Sequence, residues 1–159
     1  MPDELLLRKA EYLIGSDRPL DEVLRKIVQL LYLNVSTYHW VGIYLLKGNE
    51  LVLHNYMGKP TEHQRIPVGK GVCGTAVAER ANQVVGDVTK LDNYLACSLE
   101  TKSEIVTLIQ DDEHIYGQID IDSDKPKAFS PDDESFLNAV AQLLATRFKS
   151  KRPDLAHNQ

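Results

Sequence analysis

The segment SEIVTLIQDDEHIYGQIDIDS, residues 103–123, constrains the fold of this chain more than any other. Two runs rich in Ile, Val and Thr flank Asp111-Asp112-Glu113, which predicts a β-hairpin. In the outgoing strand, period 2 sets Tyr116, Gln118, Asp120 and Asp122 on one face and Gly117, Ile119 and Ile121 on the other. The sheet is therefore two-sided. One face is apolar and needs a covering layer; the other carries two carboxylates about 7 Å apart by strand rise. An inward-facing Asp pair is costly unless it binds something or meets a cation. Glu104 lies on the partner strand near the same end, so three carboxylates can converge. A plainer alternative stands beside this one: Asp120 and Asp122 face solvent at a strand end, and Glu104 pairs with a lysine.

The covering layer is legible at both ends of the chain. In PLDEVLRKIVQLLYLNV, Leu20, Val23, Leu24, Ile27, Val28 and Leu31 recur at steps of three and four, an amphipathic helix. Asp17 is a candidate cap for it, and Pro19 suits its first turn. A shorter helix is expected over residues 3–14, ended by Gly15. At the far end Ser130 is an N-cap, Pro131 follows, and Asp132, Asp133 and Glu134 complement the positive helix terminus. Phe136, Leu137, Val140, Ala141, Leu144 and Phe148 then form a buried stripe. Between the helices, HWVGIYLLKGNELVLHNYM predicts another hairpin around Lys47-Gly48-Asn49-Glu50, with Trp40, Gly42 and Tyr44 on one face and Val41, Ile43 and Leu45 on the other. GKGVCGTAVAER reads as a glycine-rich turn entering a short helix, and QVVGDV as a short strand. Strands in a run with helices at both ends make an α+β domain, residues 1–150, followed by a polar tail, 151–159. The terminal helices cover one sheet face, and the segment 58–102 must close the other.

Bulk properties exclude several classes. The 159 residues suit one domain, and a net charge of −5 argues against a nucleic-acid footprint. No run approaches the roughly 20 apolar residues of a membrane span, and the acidic start does not resemble a secretory signal. Two cysteines are too few for a disulfide framework, so a reducing cytoplasm is the expected location.

The chemistry-bearing residues are few. Asp120, Asp122 and Asp124 have the opening spacing of a calcium loop, but the sixth position is Lys125 and the twelfth Pro131, where such a loop needs Gly and Glu. His54, His63, Cys73 and Cys97 lack zinc-ligand spacing, so no metal and no cofactor are expected. GKGVCGTA lacks the order of a P-loop. Cys73 falls in the first turn of the short helix, a place that favours thiolates. Cys97 falls in an aperiodic stretch, where it can face a ligand; either cysteine is equally readable as a small buried hydrophobe. Trp40 and Tyr44 are core residues or an aromatic wall for a small ligand.

Taken in order, HWVGIYLL, RIPVGKGVCGTAVAE, NYLACSLETKSEIV and GQIDIDS resemble a GAF domain, and within that superfamily the free methionine-(R)-sulfoxide reductases. The resemblance implies a six-stranded antiparallel sheet with the terminal helices on one face and a ligand pocket on the other. It implies that Cys97 attacks the sulfoxide, that Glu104, Asp120 and Asp122 bind the substrate and that Trp40 and Tyr44 wall it, with Cys73 in the GVCG turn. The family's third cysteine, in the loop leading to RIP, resolves the oxidised one; here that position is His63. The expected partners are a small zwitterionic ligand and a thioredoxin-like or small-thiol reductant, with a homodimer left open and neither nucleic acid nor membrane involved. The alternative is a non-catalytic GAF module that binds a small ligand or senses redox state in the same pocket. A cyclic nucleotide is disfavoured, because a carboxylate-lined pocket repels phosphate.

Overall fold

A computed structural model describes residues 2–91 and 100–157, with side chains described as far as residue 150. The elements are α1 Glu4–Ile14, α2 Leu20–Asn34, β1 Trp40–Lys47, β2 Glu50–Met57, β3 Arg65–Pro67, α3 Gly71–Glu79, β4 Gln83–Val85, a single 3-10 turn Val88–Lys90, β5 Ser103–Gln110, β6 Ile115–Ser123 and α4 Pro131–His157. The strands form one antiparallel sheet in the order β3-β2-β1-β6-β5-β4. Both long hairpins form where alternation placed them. The three-residue β3 did not show as a strand in the sequence, because only Ile66 in it is apolar and buried.

Val41, Ile43, Leu45, Ile105, Ile119 and Ile121 turn to one side and pack against α1, α2 and α4. The expected α4 stripe, Phe136 to Phe148, is buried there in full. Each such aliphatic or aromatic side chain stabilises the fold by roughly 1.5–3 kcal/mol on burial. Trp40, Tyr44, Leu51, Val106 and Leu108 point the other way and form a second, smaller core with Ile66 and α3. Among the described residues, no helix is long and apolar enough to cross a membrane.

The α4 N-terminus is capped reciprocally: the Ser130 N–H donates to Asp133 Oδ2 at 2.9 Å, and the Asp133 N–H donates to Ser130 Oγ at 3.4 Å. The buried Tyr38 hydroxyl donates to the same carboxylate at 2.6 Å, tying the approach to β1 onto α4. Burial, and then Asp133, push the Tyr38 hydroxyl far above its usual range, so it stays a donor. At the opposite end of the helical layer, the Arg147 guanidinium collects the carbonyls of Ile14, Ser16 and Arg18 at the α1–α2 turn. A cation is well placed against those carbonyls at the end of α1. The α4 backbone stays helical through His157, past the residue 150 boundary.

Two local expectations need correction. Asp17 does not cap α2: the capping position is Pro19, which offers no side-chain acceptor, and Asp21 and Glu22 supply the negative charge instead. Tyr116 does not share a face with Gln118. The β5–β6 register slips between Ile109, opposite Gly117, and Gln110, opposite Ile115. The extra residue is a β-bulge, and it turns Tyr116 to the helical side, where its ring stacks on Phe148 with centroids 5.2 Å apart.

Candidate functional site

Strand register builds the site. Across β1, β6 and β5 run three rows on the face away from the helices: Trp40–Asp122–Glu104, Gly42–Asp120–Val106 and Tyr44–Gln118–Leu108. All three carboxylates are buried, Glu104 at 3%, Asp120 at 1% and Asp122 at 2% exposure, so the solvent-facing alternative for the two aspartates fails. Trp40 lies flat across its own strand because the next residue on that face is Gly42, where a Cβ would come within 2.4 Å of the indole. The ring stacks on Tyr56 at 5.5 Å, and its Nε1 donates to the Lys59 carbonyl at 3.1 Å.

The short helix α3 closes over these rows. Gly74 lets its first turn pack against the glycine-rich turn that leads into it, where a Cβ would stand 2.6 Å from the Pro67 carbonyl oxygen. Gln118 Nε2 donates to the Cys73 carbonyl at 3.1 Å, fixing the first turn of α3 to β6. The Cys73 thiol then points into the carboxylates, 3.9 Å from Glu104 Oε2. Tyr44, His63, Ile66, Lys70, Val72, Cys73, Glu104 and Asp120 line a cavity of about 10 Å³ there. Tyr44 donates its hydroxyl to the His63 backbone carbonyl at 2.7 Å. Trp40 and Asp122 are neighbours on the same sheet face, outside that cavity wall.

The electrostatics follow from burial. Desolvation raises the Asp120 carboxyl above its ordinary range, opposed by hydrogen bonds with Glu104 and Cys73. Desolvation also pushes the Cys73 thiol well up, and the charges of Asp120, Glu104 and Asp122 add to it. The partial charge of a helix N-terminus favours a thiolate at Cys73, and burial among three carboxylates opposes it. Cys73 is a protonated donor here, with a free thiol.

Cys97 lies outside the described residues. The fold brings Cys73 to Glu104 and Asp120, with His63 on the cavity wall. Sequence reasoning did not find the role of Gln118 as the tether of α3. Its place in the alternation with Asp120 was the available signal. Lys70 was also missed as a lining residue; it carried no periodic signal.

The GAF domain model matches residues 19–148. The free methionine-R-sulfoxide reductase of Escherichia coli K12 is 44% identical over 115 residues, 72% of this chain and 69% of that protein. The reduced form of the Staphylococcus aureus fRMsr superposes with a TM-score of 0.85 at 39% identity, covering 92% of this chain and 96% of that one. The free methionine-R-sulfoxide reductase of Neisseria meningitidis, solved in complex with its substrate, superposes with a TM-score of 0.87 at 32% identity over 94% and 89% of the two chains. By the family match over residues 19–148 and by these likenesses, the chain belongs to the GAF domain family and is a relative of its free methionine-R-sulfoxide reductases.

Proposed function

We propose that this protein reduces free methionine-(R)-sulfoxide to methionine, with Cys97 as the attacking thiol. The observation that carries the reading is the buried cluster of Glu104, Asp120 and Asp122 on the sheet face opposite the helices. An amino acid presents an ammonium group, and buried carboxylates are the complement to it. Asp120, whose carboxyl is pushed up by burial, is the member of the cluster suited to donate a proton to the sulfoxide oxygen. Cys97 attacks the sulfoxide sulfur, the S=O oxygen ends on the cysteine, and methionine leaves. The sulfoxide is reduced and Cys97 is oxidised to a sulfenic acid. Trp40 and Tyr44 supply the apolar surface for the methyl group. The cavity under α3 is about 10 Å³, about the room of one water.

Recycling is external in this reading. Cys73 is the other cysteine of the chain, and as a buried, protonated thiol it is a poor nucleophile. A small thiol or thioredoxin-like protein attacks the sulfenic acid, releasing water, and a second thiol then frees Cys97 as a disulfide forms. The test is to incubate the protein with free methionine-(R)-sulfoxide and a dithiol and measure methionine. Cys97→Ser should abolish product, Cys73→Ser should keep most of it, and turnover should rise steeply with dithiol concentration. If the wild-type protein forms not even one equivalent of methionine, the non-catalytic GAF module is the correct reading. His63 at the position of the third cysteine is the observation that favours that second reading.

A further inference from the structure

We propose that Cys73, Glu104 and Asp120 form a binding site for a divalent transition-metal ion of the zinc type. One ligand atom from each of the three lies within 4.8 Å of the other two. Tetrahedral zinc with arms of about 2.3 Å to sulfur and about 2.1 Å to oxygen sets ligand atoms about 3.6 Å apart. The Cys73 sulfur and Glu104 Oε2 already stand at 3.9 Å, so that pair needs only a few tenths of an ångström of contraction.

A second observation points to a cation independently of that spacing. Asp120 Oδ1 is buried and has no hydrogen-bond partner among the described residues. A carboxylate oxygen in that state is costly, and a cation in the cavity it lines would satisfy it. The cavity is small, about 10 Å³, which suits an ion. The donor set selects the class of ion: one sulfur with two carboxylate oxygens suits zinc or cobalt, whereas magnesium and calcium take oxygen alone. Three protein ligands leave a fourth position open to water or another ligand. Sequence spacing could not reveal the set, because Cys73 and Glu104 are 31 residues apart and meet only when α3 folds over β5.

Metal at this point occupies two of the carboxylates assigned above to the substrate ammonium, so metal and zwitterion exclude one another. Binding itself requires no turnover, and its test is independent of the proposed catalysis. The reduced, chelator-treated full chain is titrated with cobalt(II), followed by the near-ultraviolet thiolate-to-cobalt band, and zinc is then added to displace it. One equivalent is expected. Cys73→Ser should remove the band, Asp120→Asn and Glu104→Gln should each weaken zinc at least about tenfold, and Cys97→Ser should leave both unchanged. The two carboxylate variants keep the thiol, so they decide the matter if Cys73→Ser does not fold. A band that survives in Cys73→Ser and vanishes in Cys97→Ser overturns the inference, as does the absence of stoichiometric binding. Equal competition by magnesium would also overturn it.

Discussion

The two faces of one sheet follow opposite rules. On the helical face Ile105, Ile119 and Ile121 meet α1, α2 and α4 in a layer of apolar groups whose few buried polar side chains, Tyr38, Asp133 and Arg147, are hydrogen-bonded at its ends. At the adjacent strand positions, Glu104, Asp120 and Asp122 are buried to a similar depth, where burial penalises their charge. The same backbone positions both sets, so register is the shared constraint: a slip of one residue would exchange them. The helical layer stabilises the fold, and the carboxylate face is what that stability makes possible. A protein can carry such a cluster only when the surplus is made elsewhere.

The comparison can be tested from the helical side first. Leu137 is fully buried in the α4 stripe, and Leu137→Ala should destabilise by about 2–5 kcal/mol, read from denaturant unfolding, while leaving the affinity for ligand nearly intact. Gly42→Ala belongs to the other face. The new methyl meets the Trp40 ring and should cost about 1–3 kcal/mol; Trp40 fluorescence should shift in the folded protein, and an unchanged spectrum with unchanged stability would show that the ring moves aside freely. Asp120→Asn should have the reverse sign, leaving stability unchanged or raising it by about 1 kcal/mol, while ligand binding falls.

The smallest effect sharpens the contrast through pH. The Asp120 carboxyl is raised in the folded protein. Its contribution to stability therefore declines as pH rises above 3.8, the ordinary aspartate value, and the gain of Asp120→Asn over wild type should open in that direction. Asp111, in the β5–β6 turn, behaves oppositely. The Tyr116 hydroxyl, then the backbone N–H groups of Glu113 and His114, hold it down to about 2 against an ordinary 3.8. Its contribution is present above 3.8 and is lost as pH falls through about 2. Acid melts of Asp111→Asn should lose the part of the pH dependence in that window; a variant that melts in parallel with wild type would show the turn carboxylate to be idle.

Much of this architecture was legible because it rests on long periodic runs. The hairpins, the α4 cap and the carboxylate face of β6 all follow from alternation or from residues at fixed offsets. What escaped was set by single residues out of period. The bulge at Tyr116 hides because Ile115 and Tyr116 are both apolar enough to face either side. Asp17 looked like a cap on composition, but the helix begins after Pro19. The surroundings of the Cys73 thiol were hidden because its helix position is local, whereas the carboxylates that raise it arrive from β5 and β6. The cavity was likewise only half visible: Glu104 and Asp120 came from strand patterns, but the lid that sets Cys73 against them came from the packing of a nine-residue helix.

Arg147 has a consequence for how the chain comes to be made. Its guanidinium serves the carbonyls of Ile14, Ser16 and Arg18, more than 120 residues earlier. A ribosome delivers the first helices long before that arginine, and β1 likewise waits for β6, its inner neighbour in the sheet. The α1–α2 layer is thus completed only after Arg147 has been made, and the nascent chain carries it unfinished until then. Chains stalled short of residue 147 should be cut readily by protease at the α1–α2 turn, and full-length chains should resist.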